Sequence, residues 1–320
     1  MYPKPVVVVS ACLGFEACRY NGQMIEDSFV RSLKEHVTFI AVCPEKAIGL
    51  GVPRKPVRMA MIEKKPHLYQ PATQEVFTEK MIGFAKDFFE TCGPVDGFLL
   101  KNRSPSCGPG DVKVYDGTSK SAGSRRGRGL FAECAALEHP SAVMEDEGRL
   151  KSFELREQFL VRLYTLARFR QTSSQGSMRD LVSFQSTHKL LLLAWNQTRF
   201  RKCGRITANH EKKPLAEVYA DYGAELQKIM TARPRTPSMI NTLMHAFGWI
   251  SEGLSPEERV FFLESLEEYR DERIPLSALL RLLKGYAVRF QKPYLLEQVL
   301  LSPFPSGLVT VSDSGKGRGG

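Results

Sequence analysis

The first half of the chain alternates short apolar runs with stretches of helical periodicity. The apolar runs cover residues 6–9, 37–42, 97–100 and 142–144. The helical stretches between them cover residues 25–36, 74–91 and 130–138. Continuous apolar strands separated by helices are typical of a parallel sheet covered on both faces. The pattern predicts an α/β domain with a Rossmann-like parallel sheet over residues 1–150.

The second half shows helical periodicity almost without strand signals. A long helix is predicted over 153–170, followed by a polar, small-residue linker over 171–177. Further helices are expected over 187–201, 215–231, 237–250, 255–270 and 274–289. We therefore predict a connecting helix and linker over 151–178 and an all-α helical bundle domain of about five helices over 179–311. Residues 312–320 are predicted to be a disordered tail.

The composition narrows the class of protein. The chain of 320 residues is 42% hydrophobic and 25% charged, which is typical of globular domains. No apolar run approaches the roughly 18–20 residues needed to span a bilayer, and the first residues lack the pattern of a signal peptide. We therefore expect a cytoplasmic protein. An odd number of cysteines, seven, then favours metal binding, catalysis or packing over a disulfide framework.

Three of these cysteines follow predicted strands directly. Cys12, Cys43 and Cys107 come just after the first, second and third apolar runs, in segments rich in glycine and proline. Ligand sites in open α/β sheets form beyond the carboxyl ends of the strands. We therefore expect the three thiols to meet at one edge of the sheet, whereas packing is expected for Cys92, Cys134 and Cys203.

Three thiols at one site leave several chemistries open. Structural zinc normally takes four ligands from closely spaced pairs, which are missing here, and His36, His67 and His139 lie outside all three segments. A cubane iron–sulfur cluster takes one thiolate per iron, so three cysteines would leave one iron open to substrate. Spacing alone does not distinguish such a cluster from a reactive-thiol site.

Three motifs resemble those of the thiouracil desulfidase (TudS) family. They are Ser10-Ala-Cys-Leu-Gly14 with Cys18-Arg-Tyr-Asn-Gly22, Cys43-Pro-Glu45 with Gly49-Leu-Gly-Val-Pro-Arg54, and Lys101-Asn-Arg-Ser-Pro-Ser-Cys-Gly108. The resemblance covers roughly residues 5–150. It implies a [4Fe-4S] cluster bound by Cys12, Cys43 and Cys107, whose free iron takes sulfur from a thiolated pyrimidine and leaves a carbonyl oxygen.

The helical half is similar to the YbgA-like domain often fused behind such a domain. The similarity lies in Thr187-His-Lys-Leu-Leu-Leu-Leu-Ala194, Asn241-Thr-Leu-Met-His-Ala-Phe-Gly248, and Pro293-Tyr-Leu with Ser302-Pro-Phe-Pro305. Together the two halves resemble the two-domain desulfidases that convert 4-thiouridine in tRNA to uridine. The resemblance thus implies tRNA carrying 4-thiouridine as the substrate.

Candidate catalytic side chains lie beside the cysteines. Glu45, two residues after Cys43, is the first candidate for general acid–base catalysis, although it could instead be a loop carboxylate paired with Arg54 or Arg103. Ser104 could hydrogen-bond the substrate or position a water molecule. Ser106 has similar chemistry but could merely cap the loop that carries Cys107.

The basic residues suggest a polyanionic partner. The first 150 residues carry 20 basic and 18 acidic side chains and the remainder 25 and 17, so most of the formal net charge of +10 lies in the helical half. One predicted RNA-binding cluster, interleaved with an aromatic residue, is Arg199, Arg201, Lys202, Arg205, Lys212 and Lys213. A second, on a predicted Gly/Ser-rich loop, is Arg125, Arg126 and Arg128. Either cluster could instead be an ordinary solvated face.

Other functions remain open at this point. The chain could desulfurise free thiolated bases, with the helical domain serving stability or dimerisation. It could be a non-catalytic RNA-binding protein with a structural metal. A thiol-redox enzyme using Cys12 and Cys18 is a third alternative, but these cysteines lack the C-x-x-C spacing. The sequence leaves the oligomeric state, monomer or dimer, undecided.

Overall fold

The computed structural model describes residues 2–119 and 121–308 of the chain. These residues form two compact units. The first extends from the N-terminus to Ala167 and also includes the segment that begins at Phe304, whereas the second is Arg168–Pro303. The predicted tail, 312–320, lies outside the described residues. None of the helices described is long and apolar enough to cross a membrane.

The first unit contains nine strands among its described residues. In chain order they are β1 Val6–Ser10, β2 Thr38–Val42, β3 Arg58–Ile62, β4 Lys65–Gln70, β5 Glu75–Val76, β6 Gly97–Leu100, β7 Val112–Tyr115, β8 Ser124–Gly127 and β9 Val143–Asp146. The helices between them are α1 Ser28–Leu33, α2 Pro44–Ala47, α3 Thr78–Thr91 and α4 Leu130–Glu138. A long helix, α5 Phe153–Gln175, follows β9.

Four of the strands form the predicted parallel sheet, in the order β2-β1-β6-β9. Every pairing in this sheet is parallel, and all four residues of β6 are buried. The predicted α/β class is therefore confirmed. Because the strands are parallel, their carboxyl ends lie along one edge, and the segments that follow β1, β2 and β6 leave the sheet there.

The other five strands form a mixed sheet that the sequence analysis missed, in the order β5-β4-β3-β7-β8. Apart from residues 59–62 of β3, its strands have no continuous apolar run, because they are short and partly exposed. The prediction that residues 125–129 form a loop is wrong for its first part, because Arg125 and Arg126 belong to β8, which pairs antiparallel with β7.

The second unit is helical, as predicted, but its boundaries differ. Its helices after α5 are α6 Met178–Thr187, α7 Lys189–Trp195, α8 Gln197–Ala208, α9 Leu215–Thr231, α10 Thr236–Gly248, α11 Pro256–Arg270, α12 Leu276–Arg289 and α13 Pro293–Leu296. The predicted linker over 171–177 is wrong, because α5 continues to Gln175 and α6 begins after Ser177, whose side chain accepts a hydrogen bond from the Asp180 amide.

The single helix predicted over 187–201 is also wrong. It is interrupted at Asn196, whose backbone is extended with φ −160° and whose side chain accepts a hydrogen bond from the Arg199 amide. Asparagine is among the best N-cap residues, so it ends α7 and begins α8 within one apolar pattern.

His188 is a buried titratable group in the core of the helical unit. It is 2% exposed, and its ring stacks on that of Phe184 with 3.8 Å between centroids. Its Nδ1 lies 2.9 Å from the Phe184 carbonyl oxygen, which makes Nδ1–H the donor. Burial, reinforced by the nearby Arg168, lowers the pKa of His188 to about 3.

This pKa predicts that acid destabilises the helical unit through His188. An unfolded histidine binds a proton near pH 6.5, whereas the folded one stays neutral until near pH 3, so stability falls as pH drops below 6.5. In the wild type, His188 should account for about 2 kcal/mol of the decrease in unfolding free energy between pH 7 and pH 5. His188→Gln should therefore show a decrease that is smaller by this amount, as measured by urea unfolding at the two pH values. The exposed His245 gives the control His245→Gln, which should keep the loss. Equal losses in both variants would contradict the assignment.

Candidate active site

A cavity of about 380 Å³ lies at the carboxyl-terminal edge of the parallel sheet. Its lining includes four cysteines, Cys12, Cys18, Cys43 and Cys107. Cys12 follows β1, Cys43 comes directly after β2, and Cys107 lies in the loop after β6. The structure thus brings together the three cysteines singled out in the sequence, and adds Cys18 as a fourth.

The surroundings of the thiols differ. Burial, and then the nearby Cys43, raise the pKa of Cys12 to about 11, and full burial raises the pKa of Cys107 well above its usual value. Cys43 precedes α2 as its N-cap residue. A hydrogen bond with the Cys18 thiol lowers the pKa of Cys43 to about 7, and the Lys46 amide acts in the same direction. Cys43 is therefore the thiol that ionises most readily of the three.

The loop that carries Cys107 is held by hydrogen bonds to its backbone amides and carbonyl groups. The Ser104 hydroxyl oxygen accepts from the amides of Ser106 and Cys107, at 3.3 and 3.1 Å. A Cβ on Gly108 would lie 2.4 Å from Val112 Cγ2, so only glycine fits there. Three amides at the start of α4 donate to carbonyl groups of this loop: Gly129 to Gly108, Leu130 to Pro105, and Ala132 to Ser106. The loop therefore supplies the N-terminal cap of α4.

Glu45 is a buried carboxylate with partners on both oxygens. Nε and Nη2 of Arg54 lie 2.8 and 2.7 Å from its Oε2, and the Ser106 hydroxyl donates to its Oε1 at 2.9 Å. Only 5% of the Arg54 side chain and 11% of the Glu45 side chain are exposed. The pairing with Arg54 considered in the sequence analysis is present, but Glu45 belongs to α2 rather than to a loop and also lines the cavity.

Arg54 links several segments around the cavity. Its Nη1 donates to the carbonyl groups of Cys18 and Gly51, at 2.9 and 3.1 Å, and its amide donates to the Tyr20 carbonyl at 2.8 Å. The sequence predicts Arg54 only as a possible partner of Glu45. Its position at the end of the Gly49–Arg54 motif was the one signal that could have identified it.

A second ion pair borders the cavity. Lys101, which lines it, is bonded to the carboxylate of Glu147, and the Asn102 amide donates to the other oxygen of Glu147 at 2.8 Å. The Lys101 amide donates to the Ser10 hydroxyl at 2.9 Å. The loop after β6 is thereby fixed to both β1 and the segment after β9.

The two predicted serines have different surroundings. Ser104 lines the cavity, and because its oxygen accepts from two amides its hydroxyl hydrogen remains available to a ligand. Ser106 is fully buried, does not line the cavity, and donates to Glu45. Ser106 therefore acts on Glu45 rather than on a bound molecule.

The predicted RNA-binding residues fall into two groups. Several are already paired: Arg199 with Glu225, Lys213 with Glu211, Glu217 and Asp221, Arg126 with Asp111, and Arg128 with Glu133. The others are exposed and have no acidic partner among the described residues: Arg125, Arg201, Lys202, Arg205 and Lys212.

The donor set of the cavity suits a cluster better than a single ion. A single zinc ion needs its ligands within about 2.0–2.3 Å of one point. No three His, Cys, Asp or Glu side chains of the described residues are grouped closely enough to hold one ion. A cubane takes one thiolate per iron, so its ligands need not converge on one point. Arg19, Arg54 and Lys101 line the same cavity and would offset thiolate charge.

Two family models match separate parts of the chain. Residues 7–147 match the model of a family described as 2-thiouracil desulfurase. The first domain belongs to the 2-thiouracil desulfurase family. Residues 189–305 match the model of a second family, described only as a protein of unknown function, DUF1722. The chain thus joins a desulfurase domain to a DUF1722 domain, as the resemblances in the sequence implied.

Individual relatives cover one half or the other. Uncharacterized protein YbbK of Bacillus subtilis (strain 168) is 29% identical over 120 residues, 35% of this chain and 78% of its own length. Uncharacterized protein YbgA of Escherichia coli (strain K12) is 26% identical over 148 residues, 46% of this chain and 88% of its own. Among solved structures, a [4Fe-4S]-dependent thiouracil desulfidase, TudS, is 27% identical and covers 46% of this chain and 94% of its own, with a TM-score of 0.36.

The buried ion pair predicts a large cost for removing Arg54. In Arg54→Met the carboxylate of Glu45 would be buried without its cation, which destabilises a protein by about 3–5 kcal/mol. The exposed pair of Arg31 with Glu26 gives the matched control Arg31→Met, which should cost less than about 1 kcal/mol. Urea unfolding of the two variants measures the difference. Similar losses in both would show that the Glu45–Arg54 pair does not hold the desulfurase domain together.

Proposed function

We propose that the chain is a [4Fe-4S]-dependent desulfidase that converts 4-thiouridine in tRNA to uridine in the cytoplasm. The observation that carries this proposal is the single cavity lined by Cys12, Cys43 and Cys107 together with Glu45. Membership of the first domain in the 2-thiouracil desulfurase family supports the reaction class. The reaction exchanges the thione sulfur for the oxygen of water and releases hydrogen sulfide, so it needs no oxidant.

Cys12, Cys43 and Cys107 would hold the cluster. When bound, the cluster supplies an iron without a protein ligand, a soft Lewis acid suited to a thione sulfur. The positive side chains of Arg19, Arg54 and Lys101 would stabilise the site, because ligand thiols must be deprotonated and add negative charge.

Glu45 would hold the attacking water and accept its proton. Arg54 and Ser106 fix the carboxylate so that it faces the cavity from α2. A fixed acceptor lowers the entropic cost of orienting water. Ser104 would donate its free hydroxyl hydrogen to the pyrimidine, and Ser106 would position Glu45 without touching the substrate.

The DUF1722 domain would bind the tRNA. Arg201, Lys202 and Arg205 are exposed on α8, and no acidic side chain of the described residues pairs with them. Unpaired basic groups on one helix suit phosphate contacts, which make affinity fall steeply with salt. Removing this domain by truncation would also remove Phe304–Leu308, which belongs to the first unit, so point variants of the full chain give the cleaner test.

The cluster and the chemistry can be separated by variants. Anaerobically reconstituted protein should contain about four irons, absorb broadly in the visible and convert 4-thiouridine in tRNA to uridine. Cys43→Ser should lose iron and turnover together, whereas the control Cys92→Ser should keep both.

Glu45→Gln should retain iron and visible absorption but lose turnover by about 10²–10⁴-fold, the usual contribution of a general base. Nucleoside analysis measures turnover. Zinc or no metal in the wild type, or full activity of Glu45→Gln, would contradict the proposal.

Charge reversal on α8 tests the role of the helical domain. The triple variant Arg201→Glu, Lys202→Glu, Arg205→Glu should lose binding and turnover of tRNA by more than about tenfold while turning over free thiouracil normally. The triple variant Arg233→Glu, Arg235→Glu, Arg259→Glu reverses as many exposed charges elsewhere in the same unit and should retain tRNA activity. Equal tRNA losses in both would indicate a general charge effect rather than a contact surface on α8.

A further inference from the structure

Cys18 is a buried cysteine of the cavity to which the proposed function gives no role. It lines the cavity together with Cys12, Cys43 and Cys107, and only 1% of it is exposed. The sequence contains three other cysteines, and none of them is among the described residues that line this cavity. A buried thiol beside three candidate ligands can be a ligand itself, a packing residue, or a hydrogen-bond donor to a ligand.

Hydrogen bonds fix the backbone of Cys18. Its carbonyl group accepts from Nη1 of Arg54 at 2.9 Å, and its amide donates to the Glu16 carbonyl at 2.9 Å. The Arg54 side chain is only 5% exposed and also holds the carboxylate of Glu45. The thiol of Cys18 is therefore carried by a segment that is anchored to the buried ion pair of the site.

The thiols of Cys18 and Cys43 are hydrogen-bonded to each other. The Cys43 sulfur also lies 3.7 Å from the carbonyl oxygen of Cys18, so Cys43 contacts both polar groups of Cys18. When both thiols are protonated, either sulfur can donate to the other. The direction of the bond therefore depends on which of the two keeps its proton.

The role of Cys43 as a ligand fixes that direction. A thiol that binds a metal loses its proton, so the Cys43 sulfur can then only accept. A second negative sulfur in contact with it would be repelled, so Cys18 keeps its proton and becomes the donor. An S–H group is a weak donor between neutral partners, but hydrogen bonds to ionised acceptors are roughly twice as strong.

We propose that Cys18 is a positioning residue that donates its S–H group to the sulfur of Cys43 when Cys43 holds the cluster. Hydrogen bonds to ligand sulfurs help to set the reduction potential of iron–sulfur clusters, and such outer partners also orient the ligands. The bond draws electron density from the Cys43 sulfur, which raises the reduction potential and makes the open iron a better acceptor for a thione sulfur. This role rests on the function proposed above, because that function assigns Cys43 to the cluster.

Substitution of Cys18 tests the bond without relying on turnover. Cys18→Ala and Cys18→Val both remove the donor, one leaving space and the other filling it, whereas Cys18→Ser supplies a hydroxyl donor. In the anaerobically reconstituted full chain, all three variants should retain about four irons. The midpoint potential, measured by redox titration, should fall in Cys18→Ala and Cys18→Val and return towards the wild-type value in Cys18→Ser.

A vibrational measurement reports on the donated proton itself. In heavy water the S–H group becomes S–D, which should shift the iron–thiolate stretching bands in the resonance Raman spectrum of the wild type. The isotope shift should be smaller in Cys18→Ala and Cys18→Val. The control Cys134→Ala changes a half-buried cysteine of the same unit that does not line the cavity, and it should match the wild type in both measurements.

The possible results separate the three roles of Cys18. A potential that is unchanged in both Cys18→Ala and Cys18→Val, or changed in only one of them, would leave packing as the role and overturn the proposal. Loss of iron in Cys18→Ala would make Cys18 a ligand and would also overturn it. If the wild type binds the cluster but turns over no thiolated pyrimidine, the proposed function fails and the potentials still decide the role of Cys18. If the wild type binds no cluster, both are wrong.

Discussion

The ion pair of Glu45 with Arg54 is hydrogen-bonded to groups from each of the cysteine-bearing segments. Glu45 itself follows Cys43 by two residues, and Ser106, which donates to it, precedes Cys107. Arg54, its buried partner, also donates to the Cys18 carbonyl in the segment that follows Cys12. Removing Glu45 or Arg54 would leave the other as an unpaired buried charge, which is costly at low dielectric. One hydrogen-bond network therefore links the three segments that carry the thiols.

The sequence predicted those parts of the site that follow from the parallel sheet. Val6–Ser10 and Gly97–Leu100 are buried strands, and Thr38–Val42 is a partly exposed edge strand. All three have apolar signals, and the rule for strand ends then directs attention to Cys12, Cys43 and Cys107. The contribution of Arg54 could not be deduced in this way. It follows a run of glycine and proline that has no regular secondary structure, so its partners depend on how distant loops fold back.

The mixed sheet was missed for reasons of local chemistry. β3 and β4 are joined by Glu63 and Lys64, both with positive φ, where asparagine and glycine are the usual residues, so the hairpin has no turn signature. β8, with the sequence Ser-Arg-Arg-Gly, contains no apolar residue and forms the edge of the sheet. Charged edge strands protect a sheet from pairing with other chains. Here the same charges also line a second cavity, of about 600 Å³, and in the sequence alone they resemble a solvated loop.

The hydrogen bonds between the Cys107 loop and α4 bear on whether the site forms before or after the cofactor binds. Gly129, Leu130 and Ala132 hold the carbonyl groups of this loop through backbone bonds. Classical zinc fingers gain much of their folding energy from the metal and are unfolded without it. In this domain, hydrogen bonds from α4 hold the Cys107 loop instead. The iron-free chain is therefore expected to fold before the cofactor binds and to contain a preformed binding site. The cluster would then be inserted into a protein that is already folded. If insertion failed, the chain would remain folded but inactive.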